Sequence, residues 1–311
     1  MIISASRRTD IPAYYSEWFF NRIKDGYVYV RNPRNPHQIS EISLSPEVVD
    51  GIVFWTKNPA PMLERLHELQ DYTYYFQFTL TPYGPDVEKN LPSKNREIIP
   101  AFQKLSSLIG KERVVWRYDP ILLNEHYTMQ YHRRYFRVLC DKLAGYTEKC
   151  TISFLDLYKN IQGRIAPLNI GTLTVQQMEE LAGYFSETAK EYGISIDTCA
   201  ENIELGRFGV GHASCIDRSR LERIGNYRLA IDRDKNQRAA CGCVASIDIG
   251  TYNTCRNGCV YCYANFNQIL VRNCCAKHDP LSPLLCGDMT DEDVIRKREM
   301  KTFRDGQMEL F

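Results

Sequence analysis

Ser246-Ile-Asp-Ile-Gly-Thr-Tyr-Asn-Thr-Cys-Arg-Asn-Gly-Cys-Val-Tyr-Cys262 joins a short β-branched run directly to a loop carrying three thiols. A loop that leaves the C-terminal end of a strand lies on the face where (β/α) barrels carry their reactive groups, so the placing of this stretch decides the architecture. Residues 244–249 are the last of seven runs rich in β-branched and aromatic residues, the others being 2–6, 51–56, 74–80, 113–118, 151–155 and 194–199. Helical periodicity fills the intervals at 15–24, 61–69, 96–108, 131–143 and 175–192. This alternation predicts parallel strands joined by crossover helices, an α/β chain. Its length suits a TIM-barrel-like (β/α) fold of roughly 250 residues. The division expected is a single barrel over residues 1–286, with the cysteine loop at 241–265, and a charged C-terminal tail at 287–311. Residues 27–44, with Asn32-Pro33 and Asn35-Pro36 between apolar stretches, read as a hairpin inserted after the first helix.

Composition excludes several classes. With 44% hydrophobic and 25% charged residues among 311, the chain is globular and not disordered. Its net charge of +1 gives no bulk field toward nucleic acid or a membrane surface, so an anionic partner needs a local patch. The first ten residues turn polar too early for a signal peptide, and no uncharged apolar run is long enough to span a bilayer. The expectation is a cytoplasmic protein. There twelve cysteines are metal ligands or buried thiols before they are disulfides. Only Cys140 and Cys150 precede residue 199, and this crowding toward the C-terminus favours ligation.

Residues one to three places beyond each strand are rich in reactive groups: Arg7, Arg8 and Asp10; Lys57 and Asn58; Thr79 and Thr81; Arg117 and Asp119; Asp156; Glu201; and Asp248. A barrel brings such positions together. Arg7, Arg8, Asp10, Lys57, Arg117, Asp119 and Glu201 are the candidate catalytic set, although ion pairs that only close a barrel mouth use the same residue types. Arginine suits bidentate capture of a carboxylate or phosphate, which singles out Arg7, Arg8 and Arg117. Trp55, Trp116 and Tyr118 beside them are candidate stacking surfaces, or simply core.

Cys255, Cys259 and Cys262 can hold three irons of a four-iron cluster and leave the fourth open. Zinc is the competing reading, with Cys241 and Cys243 completing a set with Cys259 and Cys262. Cys199, Cys215, Cys241 and Cys243 also match the ligand count of a fully coordinated second [4Fe–4S] cluster, or are buried core thiols. Cys274, Cys275 and Cys286 show no ligand spacing.

The spacing of Cys255, Cys259 and Cys262, with Tyr261 before the last, resembles the signature of the radical S-adenosylmethionine superfamily. Taken whole, the chain resembles the prokaryotic family named domain of unknown function 1848, through Ser-Arg-Arg-Thr-Asp-Ile-Pro at 6–12, Phe-Trp-Thr-Lys-Asn-Pro at 54–59, Trp-Arg-Tyr-Asp-Pro at 116–120 and the stretch 241–265. The superfamily resemblance implies a [4Fe–4S] cluster on the three cysteines. Its open iron would bind S-adenosylmethionine, and a reductant such as ferredoxin or flavodoxin would trigger release of a 5′-deoxyadenosyl radical. Tyr261 would then lie near the adenine, with Asp248 and Arg8 as further cofactor contacts.

That signature normally follows the first strand of its barrel, whereas only 49 residues follow Cys262. A circular permutation reconciles this: the strand ending at Ile249 would take the first-strand role, with the N-terminal strand beside it. The Gly-Gly-Glu run of the superfamily is absent. Trp-Arg-Tyr-Asp-Pro-Ile is similar to strand ends in the branch containing spore photoproduct lyase, which implies a nucleic-acid or nucleotide substrate. Gln307-Met-Glu-Leu-Phe311 resembles the peptide by which repair proteins dock on the DNA sliding clamp. Two other expectations stand beside this reading. One is a [4Fe–4S] protein that transfers electrons or ligates substrate without S-adenosylmethionine; the other is a zinc-stabilised barrel acting as a binding module.

Overall fold

The computed structural model describes residues 1–305. Its strands, in chain order, are β1 (Ile2–Ala5), β2 (Tyr27–Asn32), β3 (Asn35–Ser43), β4 (Gly51–Thr56), β5 (Tyr74–Thr79), β6 (Val114–Ile121), β7 (Lys149–Phe154), β8 (Ser195–Thr198), β9 (Gly211–His212), β10 (Ile247–Asp248) and β11 (Val294–Lys297). Eight of them form one sheet in the order β10-β1-β4-β5-β6-β7-β8-β9, and every neighbouring pair is parallel. Strands β1, β4 and β5 are buried almost throughout, as expected of a parallel sheet covered on both faces. All seven strands expected from the sequence are present, and β10 pairs with β1, Ile3 opposite Ile247.

Side chains alternate between the two faces of this sheet. Ile3, Ile52, Phe54, Phe76, Phe78 and Trp116 face the helical layer and form the larger core. That layer includes α1 (Ile11–Tyr14), α2 (Ser16–Asp25), α3 (Ile99–Ile109), α4 (Met129–Leu143) and α6 (Val175–Glu191), while Arg164 of α5 (Gln162–Ile165) donates to the Cys262 carbonyl. Helix α6 starts at a capping box made by Thr174 and Gln177. The stretch expected as a helix over 61–69 is a 3₁₀ helix, Ala60–Leu69, and 94–98 is a π-helical turn leading into α3.

Ile2, Val53, Tyr75 and Val115 point to the opposite face. They pack there against Ile216, Leu221, Leu229, Ile231, Cys241, Cys243 and Val244, from the segment that contains α7 (Arg218–Gly225). Gly51 permits this approach, because a Cβ there would lie 2.6 Å from Leu221. Strands β9 and β10 are the edges of the array, each two residues long. Beyond β9, Ala213 N–H donates to Thr198 of β8 (2.7 Å), and before β10, Val244 N–H donates to Ile216 of the intervening segment (3.2 Å).

The expected hairpin is β2–β3, and β11 extends it by pairing parallel to β3. The charged stretch after residue 287 is therefore not a detached tail as far as 305. Buried Asp50 accepts hydrogen bonds from the Met1 ammonium, the Thr302 hydroxyl (2.5 Å) and Phe303 N–H (2.7 Å). The peptide from Gln307 to Phe311 lies outside the described residues. Helix α8 (Gln268–Ala276) follows the cysteine loop, and no helix among the described residues is long and apolar enough to cross a membrane.

Candidate active site

On the face where Ile2, Val53, Tyr75 and Val115 plug the N-terminal ends of the strands, the next residues of like parity open a cavity of ≈ 340 Å³ at the C-terminal ends. Ser6, Trp55, Lys57, Thr79, Arg117, Asp119, Ser153 and Cys199 line it from the strands and their exits. Arg7, Arg8, Asp10 and Glu201 complete the seven candidate catalytic residues, all of which share this cavity. Cys199, Cys215, Cys241, Cys243, Cys255, Cys259 and Cys262 also reach it, whereas Cys274, Cys275 and Cys286 do not. Trp116 and Tyr118 are fully buried core residues, packed on Phe136 and His132, so of the three aromatics only Trp55 faces the cavity.

The cysteine loop is tied down along its length. The Tyr15 hydroxyl donates to Thr254 (2.6 Å), Asn265 to the Cys255 carbonyl (2.6 Å) and Asn90 to the Arg256 carbonyl (2.7 Å). Asn257 donates to Asp10 (3.1 Å) and accepts from the Tyr14 hydroxyl (2.7 Å). Gly258 has φ +68°, and a Cβ on it would meet the Asn90 amide at 2.8 Å, so the turn between the first two cysteines needs glycine. Cys259 forms a β-bridge with Glu88, and Val260 N–H donates to Val87 (3.0 Å).

Glu88 is the residue that sequence reading missed. It is 2% exposed, and its Oε1 accepts from Lys57 (2.6 Å), Thr81 (2.9 Å) and the Tyr261 hydroxyl (2.6 Å), while Oε2 pairs with Lys94. Burial opposes its charge, but the two ammonium groups prevail and hold its carboxyl near 2. Tyr261 thus spends its hydroxyl on the loop's anchor while its ring lines the cavity. Asp10 serves the same junction. It caps α1 through Ala13 N–H (3.0 Å) and accepts Lys57 N–H (2.8 Å) as well as Asn257, so its oxygens hold chain segments together.

The structure sorts the seven thiols into two groups. Cys199 and Cys215 have Sγ atoms 3.0 Å apart; Cys215 also borders Cys243, and Cys243 borders Cys241. Cys241 and Cys243 therefore belong with Cys199 and Cys215, not with Cys259 and Cys262. Within this group the hydrogen bond from Cys243 draws the Cys241 thiol down to about 7, while the one to Cys215 pushes Cys199 well up. Arg117 donates to Cys215 Sγ (3.0 Å) and Gln77 (3.3 Å) and clamps Asp119 through Nε (3.2 Å) and Nη2 (2.5 Å). Arg117 and Asp119 are thus committed to one another and to the four-thiol group.

Arg7 is differently placed. Its guanidinium lies over Trp55 at 5.4 Å, and its Nη2 is buried without a partner among the described residues. Arg8 stacks on Tyr252 (5.0 Å) and donates to the Gly250 carbonyl (3.3 Å). Glu201 accepts Phe154 N–H (2.9 Å) through Oε1, and burial beside Asp156 raises its carboxyl above the usual range. Asp248 does not line the cavity. Its carboxylate faces inward to the Ser4 and Ser6 hydroxyls (both 2.7 Å) and to Arg7 N–H (2.9 Å), which makes it a brace for the β1 exit.

Whether a four-iron cluster suits Cys255, Cys259 and Cys262 turns on donor chemistry. Burial pushes Cys255 well up and Cys259 to about 12, so ligation here must displace protons, as thiolate binding to metals requires. Among the described residues no three His, Cys, Asp or Glu side chains are set to hold a single metal ion. A single tetrahedral zinc needs sulfurs only ~3.8 Å apart, from Zn–S bonds of about 2.3 Å. A cluster spreads its ligands over several irons. The three thiols share one braced loop and a cavity that Arg7 also lines.

Comparison with known proteins gives one family. A search of curated proteins returns no match. Among solved structures, one titled a "putative alpha-L-fucosidase" from Bacteroides thetaiotaomicron is 11% identical, with 73% of this chain and 86% of that one covered and a TM-score of 0.29. That likeness is too weak to argue from. The profile for "Domain of unknown function (DUF1848)" matches residues 2–264, a span that holds all seven cavity cysteines and ends just past the loop. With its eight parallel strands and its cysteine loop inside that span, the chain belongs to the family DUF1848.

Proposed function

We propose that this protein is an iron–sulfur enzyme of radical S-adenosylmethionine type, in which the parallel sheet curves into a circularly permuted barrel. The single observation that carries the reading is that Cys255, Cys259 and Cys262 share one strand-end cavity with Arg7, whose Nη2 has no hydrogen-bond partner among the described residues. The pairing of β10 with β1 supports the permuted order, because it sets the cysteine loop next to Arg7 and Arg8. On this reading the three thiolates hold a [4Fe–4S] cluster. Such a cluster, reduced by a ferredoxin or flavodoxin, would supply one-electron chemistry toward S-adenosylmethionine held in the same cavity.

The chain's own residues then have distinct tasks. Arg7 Nη2 binds an anionic end, a carboxylate or phosphate, with Trp55 holding the guanidinium plane. Glu88, Lys57 and Asp10 fix the loop on the sheet. Glu201 uses Oε1 on the backbone, which leaves Oε2 to give or take a proton on a bound hydroxyl or amine. A second, fully coordinated cluster would sit on the four-thiol group, where Cys215 Sγ receives a charged hydrogen bond from Arg117; Cys199 and Cys215, 3.0 Å apart, would have to separate to ligate different irons.

The test is turnover of S-adenosylmethionine by anaerobically reconstituted, reduced protein. The proposal expects 5′-deoxyadenosine from the parent chain and at least tenfold less from Arg7→Ala. A reconstituted cluster that never cleaves S-adenosylmethionine would instead favour electron transfer or substrate ligation. Zinc without iron would favour a zinc-stabilised binding module.

A further inference from the structure

Behind the cysteine loop lies a second cavity, of ≈ 740 Å³, whose wall has an uneven charge. It is lined by Lys89, Arg164, Arg256 and Arg272 with Asn90 and Gln268, and among the described residues no Asp or Glu contributes to it. Across the chain 39 basic residues face 38 acidic ones, so four cations around one hollow are a marked local excess. Elsewhere many arginines are paired with carboxylates, such as Arg137 with Glu191 and Arg207 with Glu179; none of these four forms an ion pair among the described residues. Arg164 spends one nitrogen on the Cys262 carbonyl (2.5 Å), and its Nε is buried without a partner. Lys89 and Arg272 are exposed, so their donors are open to a ligand, whereas Arg256, also exposed, lies over the Tyr14 ring (5.7 Å) and bonds to Cys275 and Tyr15.

Like charges gathered in a concave wall repel one another, and the hollow focuses their field on whatever enters it. An anion with several oxygens relieves that repulsion, and three of the four cations carry the planar fork that suits phosphate. The wall holds no aromatic ring to stack a base, so recognition there rests on charge and hydrogen bonds.

We propose that this outer cavity is a binding site for phosphate groups, either the backbone of a nucleic acid or the polyphosphate of a nucleotide. The site is separate from the strand-end cavity, but Cys255 forms part of both walls. A ligand there touches the cysteine loop from the side opposite the substrate cavity. The proposal rests on charge alone and does not require a cluster on the loop.

Two probes test it: a fluorescein-labelled single-stranded 12-mer followed by anisotropy, and inorganic tripolyphosphate as competitor. The proteins compared are the parent chain, the double variant Lys89→Glu/Arg272→Glu, and Lys104→Glu as an exposed control on α3. The double variant changes only exposed positions and should fold normally, which circular dichroism verifies. The expected result is 12-mer binding that weakens linearly in log salt, with the double variant at least tenfold weaker and about 2 units shallower in slope, and the control unchanged. Displacement by tripolyphosphate assigns the site to compact polyphosphates. Its failure to displace, with the double variant still defective, assigns the site to a nucleic-acid backbone. Absence of binding to both probes at low salt overturns the proposal, as does equal binding by the parent and the folded double variant.

Discussion

Replacing Glu88 by Gln keeps the shape of the side chain and removes the one negative charge on which the cysteine loop is anchored. Lys57 and Lys94 both pair with that carboxylate, which is 2% exposed. Breaking a buried pair leaves an uncompensated charge and costs roughly 3–5 kcal/mol. The amide can still accept from Lys57, Thr81 or Tyr261 at one end, but its NH₂ end faces the Lys94 ammonium, donor against donor. At a slope of about 3 kcal/mol per molar urea, the unfolding midpoint should fall by about 1–1.7 M at pH 7. The variant should also respond to pH more steeply than the parent, in which burial already holds Lys94 below its ordinary range. With the carboxylate gone, burial depresses Lys57 below its ordinary range. Between that depressed value and the unfolded one the folded state binds fewer protons, so stability rises with pH. Lys57→Met/Glu88→Gln should recover at least half of the loss, because an apolar group replaces the stranded cation. A Glu88→Gln midpoint within 0.2 M of the parent, or a double variant no better than the single, would refute the anchoring role.

Three further outcomes are expected. Burial lowers His132 from 6.5 to about 4, so it adds nothing above pH ~6.5; as the pH falls toward 4 the unfolded chain takes up a proton that the folded chain refuses, and about 3 kcal/mol is lost. Urea midpoints across that range should show the fall, and His132→Gln should flatten it. Asp50→Ala should cost about 2–4 kcal/mol by urea unfolding and speed hydrogen exchange over 294–304, because Thr302, Phe303 and the Met1 ammonium all lose their acceptor. If the two thiol groups are independent sites, Cys255→Ser and Cys199→Ser should each lower reconstituted iron by about half and together abolish it; a single substitution that strips all iron would mean one shared site.

The parallel strands were legible because buried strands are continuous runs of β-branched and aromatic residues, as Gly51–Thr56 and Tyr74–Thr79 are. Gly211–His212 carries no such signal and is a strand only through its pairing with β8. The rule of reading just past each strand gives twelve residues and brings nine to one cavity, the seven catalytic candidates among them. Asn58, Thr81 and Asp248 do not line it, and the Asp248 carboxylate turns to the serines of β1. Glu88 was invisible for a different reason: it sits in a loop, and its meaning comes from Cys259 and Tyr261, which are 171 and 173 residues away. The grouping of Cys199 and Cys215 with Cys241 and Cys243 is likewise a product of tertiary structure, since spacing along the chain is the same whichever way they pair. The exposed run Val294–Lys297 reads as a solvated tail until the free edge of β3 offers it backbone partners.

The central claim is that Cys255, Cys259 and Cys262 hold a four-iron cluster with one open site. The most direct measurement is the electron paramagnetic resonance spectrum of anaerobically purified, reduced protein, recorded with and without S-adenosylmethionine alongside iron and sulfide content. The account predicts a [4Fe–4S]⁺ component that shifts when the cofactor is added and is lost in Cys255→Ser/Cys259→Ser/Cys262→Ser, leaving at most the unshifted component of the four-thiol group. Zinc in place of iron, or a signal that survives the triple substitution unchanged, would contradict it.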